Sequence, residues 1–272
     1  MSGERAGASV RVAAVQFAPG ADRAANLEQM ERLAHGAVAR GADVVVFPEY
    51  SHFFSPQLDA SWVDAAEGLD GRFVDGVTAM AREFGVHVVA GMVERADAGH
   101  ISNTLVAIDP AGDLVATHRK LHLYDAFGHR ESDRIAPGDI VDPQTFAAGG
   151  FTVGMQTCYD IRFPEVSRRL VDAGADVLLV PSEWVPGPGK EHHWRTLLTA
   201  RAIENTSYVV AADHAAPSGI GVSTVIDPAG VELASLGDGT DVVLADLSVD
   251  RLAEVREVNP ALRLRRFRVV PA

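Results

Sequence analysis

The feature that most constrains this chain is an alternation between two kinds of apolar pattern. Val44-Val45-Val46-Phe47 and Val177-Leu178-Leu179-Val180 are apolar at every position, as in strands covered on both faces. Between such runs the apolar residues recur at helical spacing. Leu27, Met30, Leu33, Ala37 and Val38 share one helical face behind Asp22, a residue type that caps helix N-termini. Gly41 then stands where a left-handed residue ends a helix. Phe73, Val77, Met80 and Phe84 mark a second helix, and residues 163–173 a third, with Pro164 suited to its first turn. Trp194, Leu197, Leu198 and Ala202 mark a fourth, and a last short helix begins near Ser248. Further strands are predicted at 10–17, 86–93, 103–108, 114–117, 151–157, 208–212, 223–226 and 242–245. Alternating elements of this kind make an α/β fold, with some antiparallel hairpins. Residues 121–148 carry no period and read as irregular. Loops of that length are more often functional than idle.

Two passages recur in the same order. Gly-Ala-Asp-Val at 41–44 returns at 174–177, each time with a proline four residues after the valine (Pro48 and Pro181). Asp-Pro-Ala-Gly at 109–112 returns at 227–230 between apolar strands, in ordinary turn chemistry. The order and similar offsets favour two similar halves without a linker. We therefore expect one domain over residues 10–272, preceded by a flexible polar segment at 1–9.

Composition removes several function classes. The chain has 272 residues and a formal net charge of −13, which argues against nucleic acid or an anionic membrane as a main partner. No apolar run approaches the ~20 residues of a membrane span, and no targeting segment is visible at the start. Cys158 is the one cysteine. It allows neither an intrachain disulfide nor a Cys-x-x-Cys zinc site, and favours a reducing, cytoplasmic setting. The ten histidines form no His-Glu-x-x-His spacing, so no metal is expected. Of 24 basic residues only Lys120 and Lys190 are lysine, a hint that lysine is kept where a guanidinium will not serve.

Three residues stand where chemistry gathers. Cys158 follows a strand and precedes a helix, so its thiol and the backbone N–H of Tyr159 can face one point. A buried inert thiol is the competing reading. Glu49 lies where an apolar strand leaves the sheet, a place for a partly shielded carboxylate base, or for a solvated loop glutamate. Lys120 lies just past a strand, where an ammonium can neutralise an oxyanion, or simply face water. Glu131, in a charged run, reads alone as solvated.

Together these residues carry a resemblance. Phe47-Pro48-Glu49, then Lys120-Leu121-His122-Leu123-Tyr124-Asp125, then Cys158-Tyr159-Asp160-Ile161-Arg162-Phe163-Pro164-Glu165 resemble the nitrilase superfamily of carbon–nitrogen hydrolases in motif, order and separation. Arg-Ala-Ile-Glu-Asn at 201–205, with Trp184 and Trp194 flanking a Pro/Gly loop, resembles its Nit-type amidase branch. The resemblance implies a four-layer αββα sandwich and a Glu-Lys-Cys triad. Cys158 would be the nucleophile, Glu49 the base, and Lys120 with the Tyr159 N–H the oxyanion holder. Glu131 would be the second carboxylate, orienting substrate or Lys120. A thiol needs such a base before it attacks. No cofactor is required. The implied substrate is a small linear carboxamide (an ω-amide or a deaminated amide), and the implied assembly a homodimer or larger.

The second-half position equivalent to Glu49 is Ser182. Ser182, Glu183 and Trp184 are expected to line the substrate pocket, with Tyr50, Tyr124 and Phe127 as further walls. Asp160 and Arg162 are expected to brace the Cys158 turn. Arg130, Arg134, Arg162 and Arg195 are candidate readers of the substrate's far end. Arg263, Arg265, Arg266 and Arg268 are read as docking on acidic surface or on another subunit. Rival readings are a Cys-His hydrolase, a nitrilase or N-carbamoyl amidohydrolase, and a non-catalytic scaffold on the same fold.

Overall fold

A computed structural model describes residues 7–96 and 99–272. The first half runs β1 (Ser9–Gln16), α1 (Arg23–Val38), β2 (Val44–Val46), α2 (Ala60–Ala65), α3 (Arg72–Phe84), β3 (His87–Arg95), β4 (Ile101–Ile108) and β5 (Leu114–Arg119). The second runs β6 (Thr145–Ala148), β7 (Phe151–Met155), α4 (Pro164–Asp172), β8 (Val177–Pro181), α5 (Lys190–Asn205), β9 (Tyr208–Ala212), β10 (Thr224–Ile226), β11 (Glu232–Ser235), β12 (Asp241–Ser248) and α6 (Val249–Val258). Residues 1–6 of the expected flexible segment lie outside the described residues; β1 begins at Ser9.

The strands form two six-stranded sheets, ordered β12-β1-β2-β3-β4-β5 and β11-β10-β9-β8-β7-β6. In each, three central strands are parallel (β1-β2-β3 and β7-β8-β9) and the flanking pairs antiparallel. The period-two pattern of the strands separates the layers. Val10, Val12 and Ala14 of β1 meet Phe151, Val153 and Met155 of β7 between the sheets. Ala13 and Val15 face the other way, onto Met30, Ala34 and Ala37 of α1 and Val77 of α3. Leu178 and Val180 of β8 pack on Trp194, Leu198 and Ala202 of α5. The order is therefore helix, sheet, sheet, helix: an αββα sandwich.

The two repeated passages occupy equivalent places. Asp43 and Asp176 each open a buried strand, donate an N–H to the neighbouring strand's carbonyl (Arg11, Thr152), and accept that residue's N–H on the side chain. Asp109 and Asp227 each accept two backbone N–H bonds in the β4–β5 and β10–β11 turns. The same turn chemistry thus builds both halves.

The expected N-cap also holds: the Asp22 side chain accepts the Ala24 and Ala25 N–H groups. The last helix begins where expected, and the Ser248 side chain caps it by accepting the Arg251 N–H. Three elements fall outside the expectation. Helix α2 and strand β11 are too short to show a period, and β6 lies at the end of the stretch read as irregular. Among the described residues no helix is long and apolar enough to cross a membrane.

Candidate active site

Four segments leave the sheets at one end and enclose a cavity of about 660 Å³. Glu49 comes from the turn after β2, Lys120 from the end of β5, Cys158 from the turn after β7, and Glu183 from the loop after β8. Ends of parallel strands are the usual place for ligands in α/β folds.

The Glu49 turn is pinned against β3. Gly91 donates its N–H to the Pro48 carbonyl, and its own carbonyl accepts the His52 N–H. A Cβ at residue 91 would lie 2.6 Å from the Tyr50 nitrogen and 2.7 Å from the Glu49 Cα, so only glycine permits this approach. His214 donates from Nε2 to the Glu49 carbonyl at 2.6 Å. Burial lowers its pKa to about 4, which keeps the ring neutral near pH 7.

Glu49 is 1% exposed, and both carboxylate oxygens are held. Oε1 accepts from Asn103 Nδ2 at 2.6 Å and from Lys120 Nζ at 2.9 Å. Oε2 accepts the Glu183 backbone N–H at 2.6 Å. Lys120, 2% exposed, also donates to Glu131 at 3.0 Å. Glu131 is fixed in turn by the Tyr50 hydroxyl and by the Tyr124 N–H at 2.6 Å. An ammonium has three donors. Two carboxylates engage two of them and leave one for a further oxygen. Burial would strip the Lys120 proton, but the charges of Glu131 and Glu49 overcome this and push its pKa well up. Glu49 moves the other way from a simple ion pair. Burial raises its pKa, Lys120 opposes the rise, and Glu131 adds to it. The result is a carboxylate more basic than an ordinary glutamate, beside an ammonium that stays charged.

Cys158 opens a 3-10 turn, Cys158–Arg162, with φ of +44°. A non-glycine residue in that region stores strain on the order of 1–3 kcal/mol. Its thiol is 6% exposed, lies on the cavity wall, and donates to the Glu183 carbonyl at 3.4 Å. Burial, then the Glu49 charge, pushes the thiol pKa well up, and Lys120 offsets only part. The resting cysteine is therefore a thiol that needs a base at the moment of attack.

Asp160 braces this turn, as expected. Fully buried, it accepts the N–H groups of Thr157 and His122 at 3.2 and 2.9 Å. It also bonds His118 Nε2 at 3.0 Å and His122 Nδ1 at 2.9 Å. Burial would raise its pKa, but these imidazole hydrogen bonds win and hold the carboxyl well below the usual range. Asp160 thereby ties the segment after Lys120 to the segment of Cys158.

Several expected site residues fall elsewhere. Tyr50, Tyr124, Glu183 and Trp184 line the cavity with Tyr159. Ser182 does not. It is fully buried, and its hydroxyl turns back onto the Val180 carbonyl. Phe127 is 65% exposed and lies outside the cavity wall, over the side chains of Arg162 and Lys190. Arg162 lines the cavity rather than only bracing the turn, and Arg130 stands at the same wall. Arg195 is spent on Glu191 and Glu232, and Arg134 is exposed outside the wall. Asn103 escapes sequence reasoning, and Lys190 is marked there only by the scarcity of lysine, not as a cavity residue. Asn103 sits inside an apolar strand, and Lys190 follows a Gly/Pro loop whose path the pattern does not fix. Among the described residues no group of histidine, cysteine and carboxylates is placed to hold a metal ion.

One cavity wall thus brings together a thiol, a buried carboxylate and a charged ammonium. The chain matches the carbon–nitrogen hydrolase family model over residues 11–257. It is 37% identical over 257 residues to the deaminated glutathione amidase of Escherichia coli O157:H7, covering 94% of this chain and 97% of that one. It is 32% identical over 271 residues to the omega-amidase NIT2 of Xenopus tropicalis, covering 95% and 96%. Nit3 of Saccharomyces cerevisiae, a member of branch 10 of the nitrilase superfamily, superposes with a TM-score of 0.84 at 26% identity, covering 96% and 97%. Sandwich, motif order and family match agree: the chain belongs to the carbon–nitrogen hydrolase family.

Proposed function

We propose that this protein is an amidase that hydrolyses a small linear carboxamide to a carboxylate and ammonia through a thioester on Cys158. Glu49 takes the thiol proton as sulfur attacks the amide carbon. The carbonyl oxygen becomes an oxyanion, held by the free N–H of Lys120 and the backbone N–H of Tyr159. The tetrahedral adduct collapses, the C–N bond breaks, and Glu49 returns the proton to the departing ammonia. Water then enters, gives a proton to Glu49, and its oxygen attacks the thioester. The acid leaves, and the proton goes back to the sulfur. Glu131 holds the Lys120 ammonium in place throughout.

The observation that carries this reading is the buried Lys120 ammonium clamped between the buried Glu49 and the partly buried Glu131 on the wall that presents the Cys158 thiol. The amidase names of the relatives support the choice of amides. The test is ammonia release across matched small amides, nitriles and N-carbamoyl compounds. Mass measurement of the acid-quenched enzyme accompanies it. Amide turnover with an acyl adduct on Cys158 is expected, and release from nitriles alone would overturn the amide assignment.

We take residues 10–272 as one domain that assembles as a homodimer or larger and works in the cytoplasm. The C-terminal segment supports self-association. It exposes Leu264 at 70%, Phe267 at 90% and Val270 at 74%, a surface suited to covering. Light scattering that shows a stable monomer would remove the assembly. The lone thiol supports a reducing compartment.

A further inference from the structure

Three carboxyl side chains stand on the cavity wall, Glu49, Glu131 and Glu183, and the mechanism uses only the first two. Glu183 comes from the second half of the fold. It follows Ser182, the residue that matches Glu49 in the repeat, so the turn after β8 brings a carboxyl to the cavity that the turn after β2 already serves. Its main chain sits between the two reacting groups. The N–H donates to Glu49 Oε2 at 2.6 Å, and the carbonyl accepts the Cys158 thiol at 3.4 Å. Its side chain is partly buried, and among the described residues no hydrogen bond and no ion pair engages it.

Acceptor sites separate it from its neighbours. A carboxylate has about four of them. Glu131 receives the Tyr50 hydroxyl, Lys120 Nζ, Asn103 Nδ2 and the Tyr124 N–H, which fills it. Glu49 receives Asn103 Nδ2, Lys120 Nζ and the Glu183 N–H, and its remaining site takes the proton in flight. Of the three carboxyls, only Glu183 has acceptor capacity left. The tetrahedral adduct of a primary amide carries two N–H bonds on its leaving nitrogen. A third forms as Glu49 returns its proton and the C–N bond breaks, with the electron pair staying on nitrogen. Buried N–H groups without acceptors are costly. Burial, then the charges of Glu49 and Asp213, push the Glu183 pKa well up, so it can accept as a neutral acid that does not compete with Glu49 for Lys120.

We infer that Glu183 is a further catalytic residue: its carboxyl accepts an N–H of the departing amide nitrogen, exchanging no proton, and so favours a primary carboxamide over other derivatives of the same acid. This rests on the amidase reading.

The test compares butanamide with 4-nitrophenyl butanoate. Both give the same acyl thioester, but the nitrophenolate leaves without an N–H. Glu183→Ala and Glu183→Met both remove the acceptor, the second keeping the bulk. Each should cut kcat/KM for the amide by about 10- to 100-fold, the range for a buried donor left unpaired, and that for the ester by less than about threefold. Glu183→Gln keeps a carbonyl oxygen and should hold amide turnover within about fivefold of wild type. Urea melts confirm which variants are folded. Equal losses on amide and ester would overturn the assignment and leave the amidase reading standing. So would a folded Glu183→Gln as slow on the amide as Glu183→Ala. A wild type that cleaves the ester and no amide would overturn both.

Discussion

Gly91→Ala perturbs the proposed base without touching any reacting group. The new methyl would lie 2.6 Å from the Tyr50 nitrogen, 2.7 Å from the Glu49 Cα and 2.9 Å from the Glu49 carbonyl carbon. All three are backbone atoms, so no side chain can swing aside. Either β3 or the Glu49 turn must move by several tenths of an ångström. Overpacking of this kind costs about 1–3 kcal/mol. The Glu49 carboxylate is held by bonds of 2.6, 2.6 and 2.9 Å to three separate segments, and a shifted turn cannot keep all of them. A misplacement approaching 1 Å costs about 100-fold in rate. The expected outcome is a kcat about 100-fold down on a small amide, with stability in urea lower by about 1–3 kcal/mol. Gly76→Ala is the control. Its methyl meets only the tip of Leu27, at 3.0 Å, and alanine gains about 1 kcal/mol over glycine in a helix. A Gly91→Ala enzyme with kcat within threefold of wild type would refute the positioning argument.

Glu49→Gln should lower kcat by about a thousandfold or more and lower urea stability by about 1–3 kcal/mol, because the amide –NH2 must face a buried donor where one carboxylate oxygen accepted; stopped ammonia assays and urea melts check both. The acid limb of kcat/KM should lie above the ordinary glutamate value of ~4.3, since burial raises Glu49 and the base must be deprotonated. In Glu131→Gln that limb should move to lower pH, because the Glu131 charge is one cause of the rise; a pH–rate profile with no movement would count against the coupling. Asp160→Ala should cost about 2–4 kcal/mol at pH 7, as the Thr157 and His122 N–H groups lose their acceptor. Asp160 has a depressed folded-state pKa. Its contribution is therefore present above the unfolded value of ~3.9 and is lost as pH falls below it. Urea melts of wild type and variant should converge toward low pH.

Much of this architecture is legible in the residues. The doubled Gly-Ala-Asp-Val passage marks β2 and β8, and the structure explains why it repeats: Asp43 and Asp176 make the same pair of bonds to the neighbouring strand. Glu49, Lys120 and Cys158 each follow a strand, but each alone reads equally as a structural or solvated residue, and only the three motifs together, through the family resemblance, single them out. Ser182 misleads for a geometric reason. It matches Glu49 in the repeat, but its side chain turns inward, and Glu183 beside it faces the cavity. Arg162 and Lys190 come from elements distant in sequence, and no period brings them to the rings of Phe127 and Trp184. Strands as short as β6 and β11 gain their pairing from the neighbouring strand rather than from their own pattern.

The central claim is that the Cys158 sulfur attacks the amide. Ammonia release by Cys158→Ala beside wild type, on one small linear amide, tests it most directly. Removing a single sulfur atom from a residue already at positive φ should leave the fold intact, as urea melts will report. The account predicts no ammonia above the uncatalysed background from the variant. A folded variant that releases ammonia at the wild-type rate would contradict it.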